Sequence, residues 1–406
     1  MSGIAPDGKS LLIYDESEKT GIMGVKSYAL ADGTEKDLFF DSRYDINSVL
    51  HDPWTFRIIG VGITEDAPRY VYFDPEMMAL DKGLQEAFPG KAVHAFDWDT
   101  KRQKVIVSVS GPNGPAAFYL LDRTTHTATL LAETHANLHP ADLGEMKPYP
   151  YTARDGLDVP AYLTLPPGKT PKNLPVVIMP HGGPISRDAL GFDYEVQFLA
   201  NRGYAVLQPN FRGSSGYGKK FREAGYVEWG RKMQDDITDG VKKLIADGIA
   251  DSKRVCIVGG SYGGYAALAG AAFTPDLYAC AASWAGVSDL GQLFESESED
   301  YGKSSILALG WPRFIGDTSR GSGKLDAVSP AQHADQIKIP ILLMHGTDDG
   351  TVRIIQSQTM ERALRRAGKK VTYIEIPNEN HNRQETSTRI RWLTELEKFL
   401  KENIGN

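Results

Sequence analysis

Several things are scarce in this 406-residue chain. Cysteine occurs only at 256 and 280, each inside an apolar run. A disulfide-built scaffold is therefore excluded, and Cys256 and Cys280 are expected as two buried thiols rather than a bridge or a nucleophile. No run of about 18 apolar residues exists, so no membrane span or membrane partner is expected. Positive charge is not in excess: 45 Lys and Arg stand against 52 Asp and Glu, a net charge of −7. That balance argues against nucleic acid as a partner. The opening Met1-Ser2-Gly3-Ile4-Ala5-Pro6-Asp7-Gly8 lacks a basic segment followed by an apolar one, so no secretory leader is expected and the reading is cytoplasmic. What is present is ordinary globular material, 41% hydrophobic and 10% aromatic, long enough for two domains.

One stretch organises the rest. Val255-Cys256-Ile257-Val258 runs straight into Gly259-Gly260-Ser261-Tyr262-Gly263-Gly264, and the small residues Tyr265-Ala266-Ala267-Leu268-Ala269 follow. This reads as strand, tight turn, helix. Gly259 and Gly263 flank Ser261 at two residues on either side, the G-x-S-x-G pattern of a nucleophile elbow. A side chain at either glycine would keep strand and helix apart, and the turn lifts the serine hydroxyl above the sheet.

Residues 1–138 read as all-β, in short β-rich runs such as Ser10–Tyr14, Thr55–Val61, Arg69–Phe73, Lys104–Val109 and Ala117–Leu121. Asp7, Asp52 and Asp97 each precede a strand at a spacing of about 45 residues, a period suited to propeller blades. About three blades fit, fewer than the roughly 4–8 of a closed propeller, so a partial, N-terminally truncated propeller is expected. Residues 139–150, with Pro140, Pro148 and Pro150, read as a linker, and 151–165 as a hairpin around Asp155-Gly156. From Leu174 onward, apolar strands alternate with amphipathic helices. Strands are expected at Pro175–Met179, Tyr204–Gln208, Arg254–Val258, Ala279–Trp284, Ile341–His345 and Val371–Ile376. Ile390, Leu393, Leu396, Phe399 and Leu400 form the buried stripe of a last helix. This is a mostly parallel sheet covered by helices on both faces, spanning 151–406.

The partners a serine needs follow it in order. One strand ends in His345-Gly346-Thr347-Asp348-Asp349 and another in Pro377-Asn378-Glu379-Asn380-His381, both at strand ends where α/β sheets place their sites. His381 suits a general base. A carboxylate of the pair Asp348 and Asp349 would orient its ring, and the residues alone leave the choice open. Donors for an oxyanion are expected from the N–H of Tyr262 and from the loop Met179-Pro180-His181-Gly182-Gly183-Pro184, with Gly183 the candidate.

With these residues assembled, 150–406 resembles the catalytic domain of the prolyl oligopeptidase (S9) family of serine peptidases, nearest its acylaminoacyl-peptidase and dipeptidyl-peptidase-like members. The likeness rests on His181-Gly182-Gly183-Pro184, Asn210-Phe211-Arg212-Gly213-Ser214-Ser215-Gly216-Tyr217-Gly218, Trp229-Gly230, Gln234-Asp235-Asp236, the elbow, and His345-Gly346-Thr347-Asp348-Asp349 with Val352. It implies an α/β hydrolase fold with a propeller before it. It also implies Ser261 as nucleophile, Asp349 as the acid and His381 as base, and a specificity pocket formed by Tyr265, Val287, Leu290 and Leu293. Leucines stand where proline-cleaving relatives carry aromatic residues, and the paired glutamates of dipeptidyl-peptidases are not recognisable in 1–138. Arg353 replaces a proline common after the valine.

The expected function is hydrolysis of peptide bonds in short peptides through an acyl-enzyme, without metal or cofactor, a homo-oligomer being left open. A carboxylesterase, amidase or isopeptidase on the same triad is the alternative, and a catalytically silent binding protein the remote one. The acidic run Glu295-Ser296-Glu297-Ser298-Glu299-Asp300 reads as a solvated loop. His135 and His139 lack the companion motif of a metal site. Gly213-x-x-Gly216-x-Gly218 is not followed by the lysine-serine pair of a phosphate loop.

Overall fold

The computed structural model describes residues 2–111, 114–302, 306–319 and 323–405. The chain divides into two compact units. One comprises the residues up to 147 together with 189–194 and 215–221, the other 148–188, 195–214 and 222–406.

Among the described residues, the strands up to Glu133 form three antiparallel sheets. The first holds β1 (Ser2–Ile4), β2 (Ser10–Glu16), β3 (Met23–Ala29) and β4 (Glu35–Phe39) in that order. The second holds β5 (Ile46–His51), β6 (Ile58–Thr64) and β7 (Pro68–Tyr72). A helix, α1 (Pro75–Ala87), precedes the third, in which β8 (Ala92–Trp98), β9 (Lys104–Gly111), β10 (Gly114–Asp122) and β11 (Thr127–Glu133) lie side by side. Alternation along β9 buries Val105, Val107 and Val109, the period of a strand with one face in a core. The helix is an element that the reading of residues 1–138 did not name. Its signals were local: Asp74 caps the N–H groups of Glu76 and Met77, Pro75 opens the first turn, and Met77, Leu80 and Leu84 form the buried stripe. The 45-residue spacing also needs correction. Asp7 and Asp52 accept backbone N–H groups two and three residues on, as turn formers do. Asp97 lies inside β8, and the turn before β9 belongs to Asp99, which accepts from Gln103 and Lys104.

The stretch expected as a linker contains β12 (Glu145–Pro148), which forms the edge of an eight-stranded sheet. The Asp155-Gly156 hairpin is short, β13 (Tyr151–Thr152) pairing with β14 (Asp158–Val159). The large sheet continues with β15 (Ala161–Leu165), β16 (Leu174–Ile178), β17 (Ala205–Pro209), β18 (Ala250–Gly260), β19 (Cys280–Trp284), β20 (Ile341–Gly346) and β21 (Val371–Ile376). Its order is β12-β15-β17-β16-β18-β19-β20-β21, with β15 antiparallel to β17 and every pair from β17 to β21 parallel.

Alternate residues of each central strand feed two cores, so the strands read as continuous apolar runs. On one face Val176, Ile178, Val255, Ile257, Ile341 and Leu343 pack with α4 (Lys232–Ala246), α5 (Tyr262–Phe273) and α8 (Ile355–Arg366). On the other, Val177, Val206, Val258, Ala282, Leu342 and Met344 pack with α2 (Tyr194–Asn201) and α9 (Thr386–Ile404). On α9 the stripe is Trp392, Leu396, Phe399 and Leu400, while Ile390 is 60% exposed and lies off the buried face. The cysteines depart from expectation too. Cys256 and Cys280 sit opposite each other on β18 and β19, point to the same buried face and form a disulfide. The strand register makes them neighbours. No helix among the described residues is long and apolar enough to cross a membrane.

Candidate active site

Ser261 occupies the single residue between β18 and α5, with φ 58° and ψ −122°. This left-handed backbone costs a non-glycine residue of order 1–3 kcal/mol and persists only where its surroundings enforce it. The enforcement is visible. A Cβ on Gly259 would lie 2.4 Å from the carbonyl carbon of Gly263, and one on Gly263 would lie 2.1 Å from the Pro180 oxygen. Strand, helix and the 180–183 loop therefore meet with no room for a side chain. The Ser261 N–H donates to Trp284 O at 2.9 Å, and the Ser261 carbonyl accepts from Tyr265 N at 3.0 Å, closing the first turn of α5.

Asp349 and His381 are brought together from the ends of β20 and β21. His381 Nδ1 is 2.7 Å from Asp349 Oδ2. The other oxygen, Oδ1, accepts the N–H groups of Thr351 and Val352 at 2.9 and 2.8 Å. His345, at the end of β20, adds Nε2 at 3.2 Å from Oδ2, while its Nδ1 meets Ser357 Oγ at 2.7 Å. Burial opposes the charge on Asp349, but the hydrogen bonds from His345 and His381, with the Val352 N–H, outweigh it and hold the carboxyl well below the usual carboxylate range. Asp348 contacts Thr347 Oγ1 instead and is exposed. With Nδ1–H donated to a carboxylate, the basic nitrogen of a neutral His381 ring is Nε2.

The 181–184 loop runs beside the serine, with the Cβ position of Gly182 3.5 Å from Ser261 Cβ. His181 anchors this loop. Its Nδ1 is 2.7 Å from Gly182 O, its Nε2 is 2.8 Å from Ser214 Oγ, and its ring stacks on Phe211 at 4.4 Å. A carbonyl only accepts, so the proton sits on Nδ1. Burial pushes the His181 pKa down to about 4, with the hydrogen bond to Gly182 opposing. The ring is therefore neutral at pH 7. Because the Gly182 carbonyl is fixed toward His181, the N–H of Gly183 on the opposite side of that peptide plane points away from it. Gly183 has φ 115°, and a Cβ there would meet Ile185 N at 2.8 Å. Tyr262 is the first residue of α5, so its N–H has no acceptor within the helix. Its ring packs among Phe211, Trp229 and Tyr265.

Four residues were expected at a specificity pocket. Tyr265, Val287, Leu290 and Leu293 are all buried in the apolar cluster on the α5 face of the sheet, and the Tyr265 hydroxyl is used on Val328 O. The acidic run is not a loop. It lies in α6 (Leu290–Tyr301), and Arg353 binds two of its carboxylates, Glu299 at 2.9 Å and Asp300 through Nε at 3.0 Å. Sequence reasoning missed Trp284, which read only as the end of an apolar strand. Its carbonyl holds the Ser261 N–H, and its indole Nε1 donates to His381 O at 3.0 Å. His181 was read for the glycines after it rather than for its ring.

Residues 190–406 match the sequence profile of the prolyl oligopeptidase family, peptidase S9. The chain belongs to this family. Among curated prolyl oligopeptidase relatives it is 34% identical to dipeptidyl aminopeptidase BIII of Pseudoxanthomonas mexicana, over 99% of this chain and 59% of that protein. It is 31% identical to dipeptidyl peptidase family member 6 of Caenorhabditis elegans, over 93% of this chain and 54% of that protein. The chain thus spans between half and two thirds of the length of these relatives. In fold it resembles a puromycin-hydrolyzing peptidase of Mycobacterium tuberculosis, with TM-score 0.82 at 24% identity, covering 100% of this chain and 62% of that one. It also resembles an acylaminoacyl peptidase of Pyrococcus horikoshii, with TM-score 0.75 at 21% identity, covering 100% and 63%.

Proposed function

We propose that this chain is a serine peptidase that hydrolyses peptide bonds of short peptides through an acyl-enzyme, with Ser261, His381 and Asp349 as its triad. The observation that carries the reading is the 2.7 Å pair between His381 Nδ1 and Asp349 Oδ2, formed by residues 32 apart that follow β20 and β21, strands of the same sheet in which β18 delivers Ser261. In this reading Ser261 Oγ attacks the scissile carbonyl carbon and its proton passes to His381 Nε2. The oxygen becomes negative and is held by the N–H groups of Tyr262 and Gly183. The carbon–nitrogen bond then breaks, and the leaving amine takes the proton from Nε2. Water repeats the sequence on the acyl-serine, with His381 again accepting and returning the proton. Asp349 stays ionised throughout and stabilises the imidazolium, in line with its depressed pKa. Relatives bearing the names dipeptidyl aminopeptidase and acylamino-acid-releasing enzyme support cleavage near the amino terminus of the substrate.

Digestion of a synthetic peptide library, read by mass spectrometry, tests this. The expected result is release of short amino-terminal fragments, lowered by about 10⁴-fold in Ser261→Ala. Cleavage that survives in the alanine variant contradicts the assignment, and turnover of short acyl esters far above that of every peptide would move the reading to a carboxylesterase.

A further inference from the structure

We infer that Trp284 is a positioning residue that fixes the distance between nucleophile and base, an inference that rests on the triad reading above. Ser261 and His381 are delivered by strands three places apart in the sheet, β18 and β21 being separated by β19 and β20. Ser261 follows β18 directly, and His381 lies beyond the end of β21. Trp284, the last residue of β19, touches both. Its carbonyl oxygen accepts the Ser261 N–H at 2.9 Å, and its indole Nε1–H donates to the His381 carbonyl at 3.0 Å. One residue thus meets both loops, its main chain holding Ser261 and its indole holding His381.

The indole is itself held firmly enough to act as a gauge. It is 2% exposed and meets the Trp392 ring edge-on at 5.9 Å. Arg383, two residues after His381, lies over both rings, with its guanidinium carbon 5.3 Å from the Trp284 centroid and 5.6 Å from that of Trp392. Arg383 also pairs with Glu195 on α2. The histidine loop is therefore gripped twice by the same indole: at the His381 carbonyl through a hydrogen bond, and at Arg383 through its π face. The ring of His381 is fixed independently by Asp349. What Trp284 adds is the location of the histidine backbone relative to Ser261. A shift of about 1 Å between reacting groups can cost about 10²-fold in rate, so this gauge belongs to the chemistry rather than to substrate binding.

The test replaces Trp284 by 3-benzothienylalanine, which keeps the fused ring and puts sulfur where the N–H was, and in parallel by phenylalanine. The probe is a fluorophosphonate, whose reaction with the serine needs no knowledge of the natural substrate. The expected result is a second-order labelling rate about 10-fold or more below wild type for both variants, and a melting temperature of the isostere within a few degrees of wild type. On any ester or peptide the protein turns over, kcat should fall while KM stays within about twofold. Labelling of the isostere at the wild-type rate, or a loss confined to KM, overturns the inference and leaves the triad standing. A slow rate accompanied by loss of the cooperative melt in the isostere assigns Trp284 to the fold alone and also overturns it. A wild-type protein that does not label at all overturns the triad reading, and this inference with it.

Discussion

His181 shows how much a single ring can set. Its Nδ1–H fixes the Gly182 carbonyl, and through that peptide plane the direction of the Gly183 N–H. Its depressed pKa ties this geometry to pH. The folded value of about 4 lies below the unfolded value near 6.5, so the folded state binds fewer protons in between. The contribution of the neutral ring is complete above pH ~6.5 and is lost as pH falls toward 4. Wild type should accordingly lose of order 2 kcal/mol more stability between pH 7 and pH 4 than His181→Gln, measured by urea unfolding at each pH. Parallel curves for the two proteins would contradict the assignment. This role was not legible in the sequence, because a histidine before two glycines announces only that the backbone there is unobstructed.

At the level of elements, the strand–turn–helix around Ser261 was the clearest feature of the sequence, because steric exclusion writes itself directly as glycine. Gly263→Ala should destabilise the protein by about 3 kcal/mol or more, since the new methyl would meet a backbone oxygen that no rotamer change can move. Thermal unfolding and labelling of the serine should both register it, and an alanine variant with wild-type melting would show that the 180–183 loop does not pack as described. The parallel strands were legible for a related reason: burial on both faces leaves an unbroken apolar run, and most of the observed limits fall within one or two residues of the expected ones. Features that depend on register were not legible. The Cys256–Cys280 pairing follows from which residues of β18 and β19 stand opposite each other. The displaced third turn at Asp99 and the position of Ile390 outside the α9 stripe are errors of one or two residues that no local pattern corrects. Helix α1 had its cap and its stripe in plain view, and was overlooked because strands surround it.

For the molecule as a whole, membership in the prolyl oligopeptidase family and the two-part architecture were readable from motifs that carry steric or chemical demands: a glycine-flanked serine, a histidine loop, a carboxylate loop. What joins those parts was hidden. Trp284, Arg383 and Glu195 come from different elements, and nothing in their immediate neighbours marks them. Tyr265, Val287, Leu290 and Leu293, expected at a specificity pocket, are buried in the apolar cluster, where such side chains read equally as pocket and as core. The central claim is that a hydroxyl, an imidazole and a carboxylate from three strand ends act as one unit. Fluorophosphonate labelling followed by peptide mapping tests it most directly. In that reaction the Ser261 oxygen bonds to phosphorus, fluoride leaves and the proton passes to His381. The account predicts a single adduct on the peptide containing Ser261, formed at least about 10³-fold more slowly in His381→Ala. An adduct on another residue, or one on Ser261 that forms equally fast without the imidazole, would contradict it.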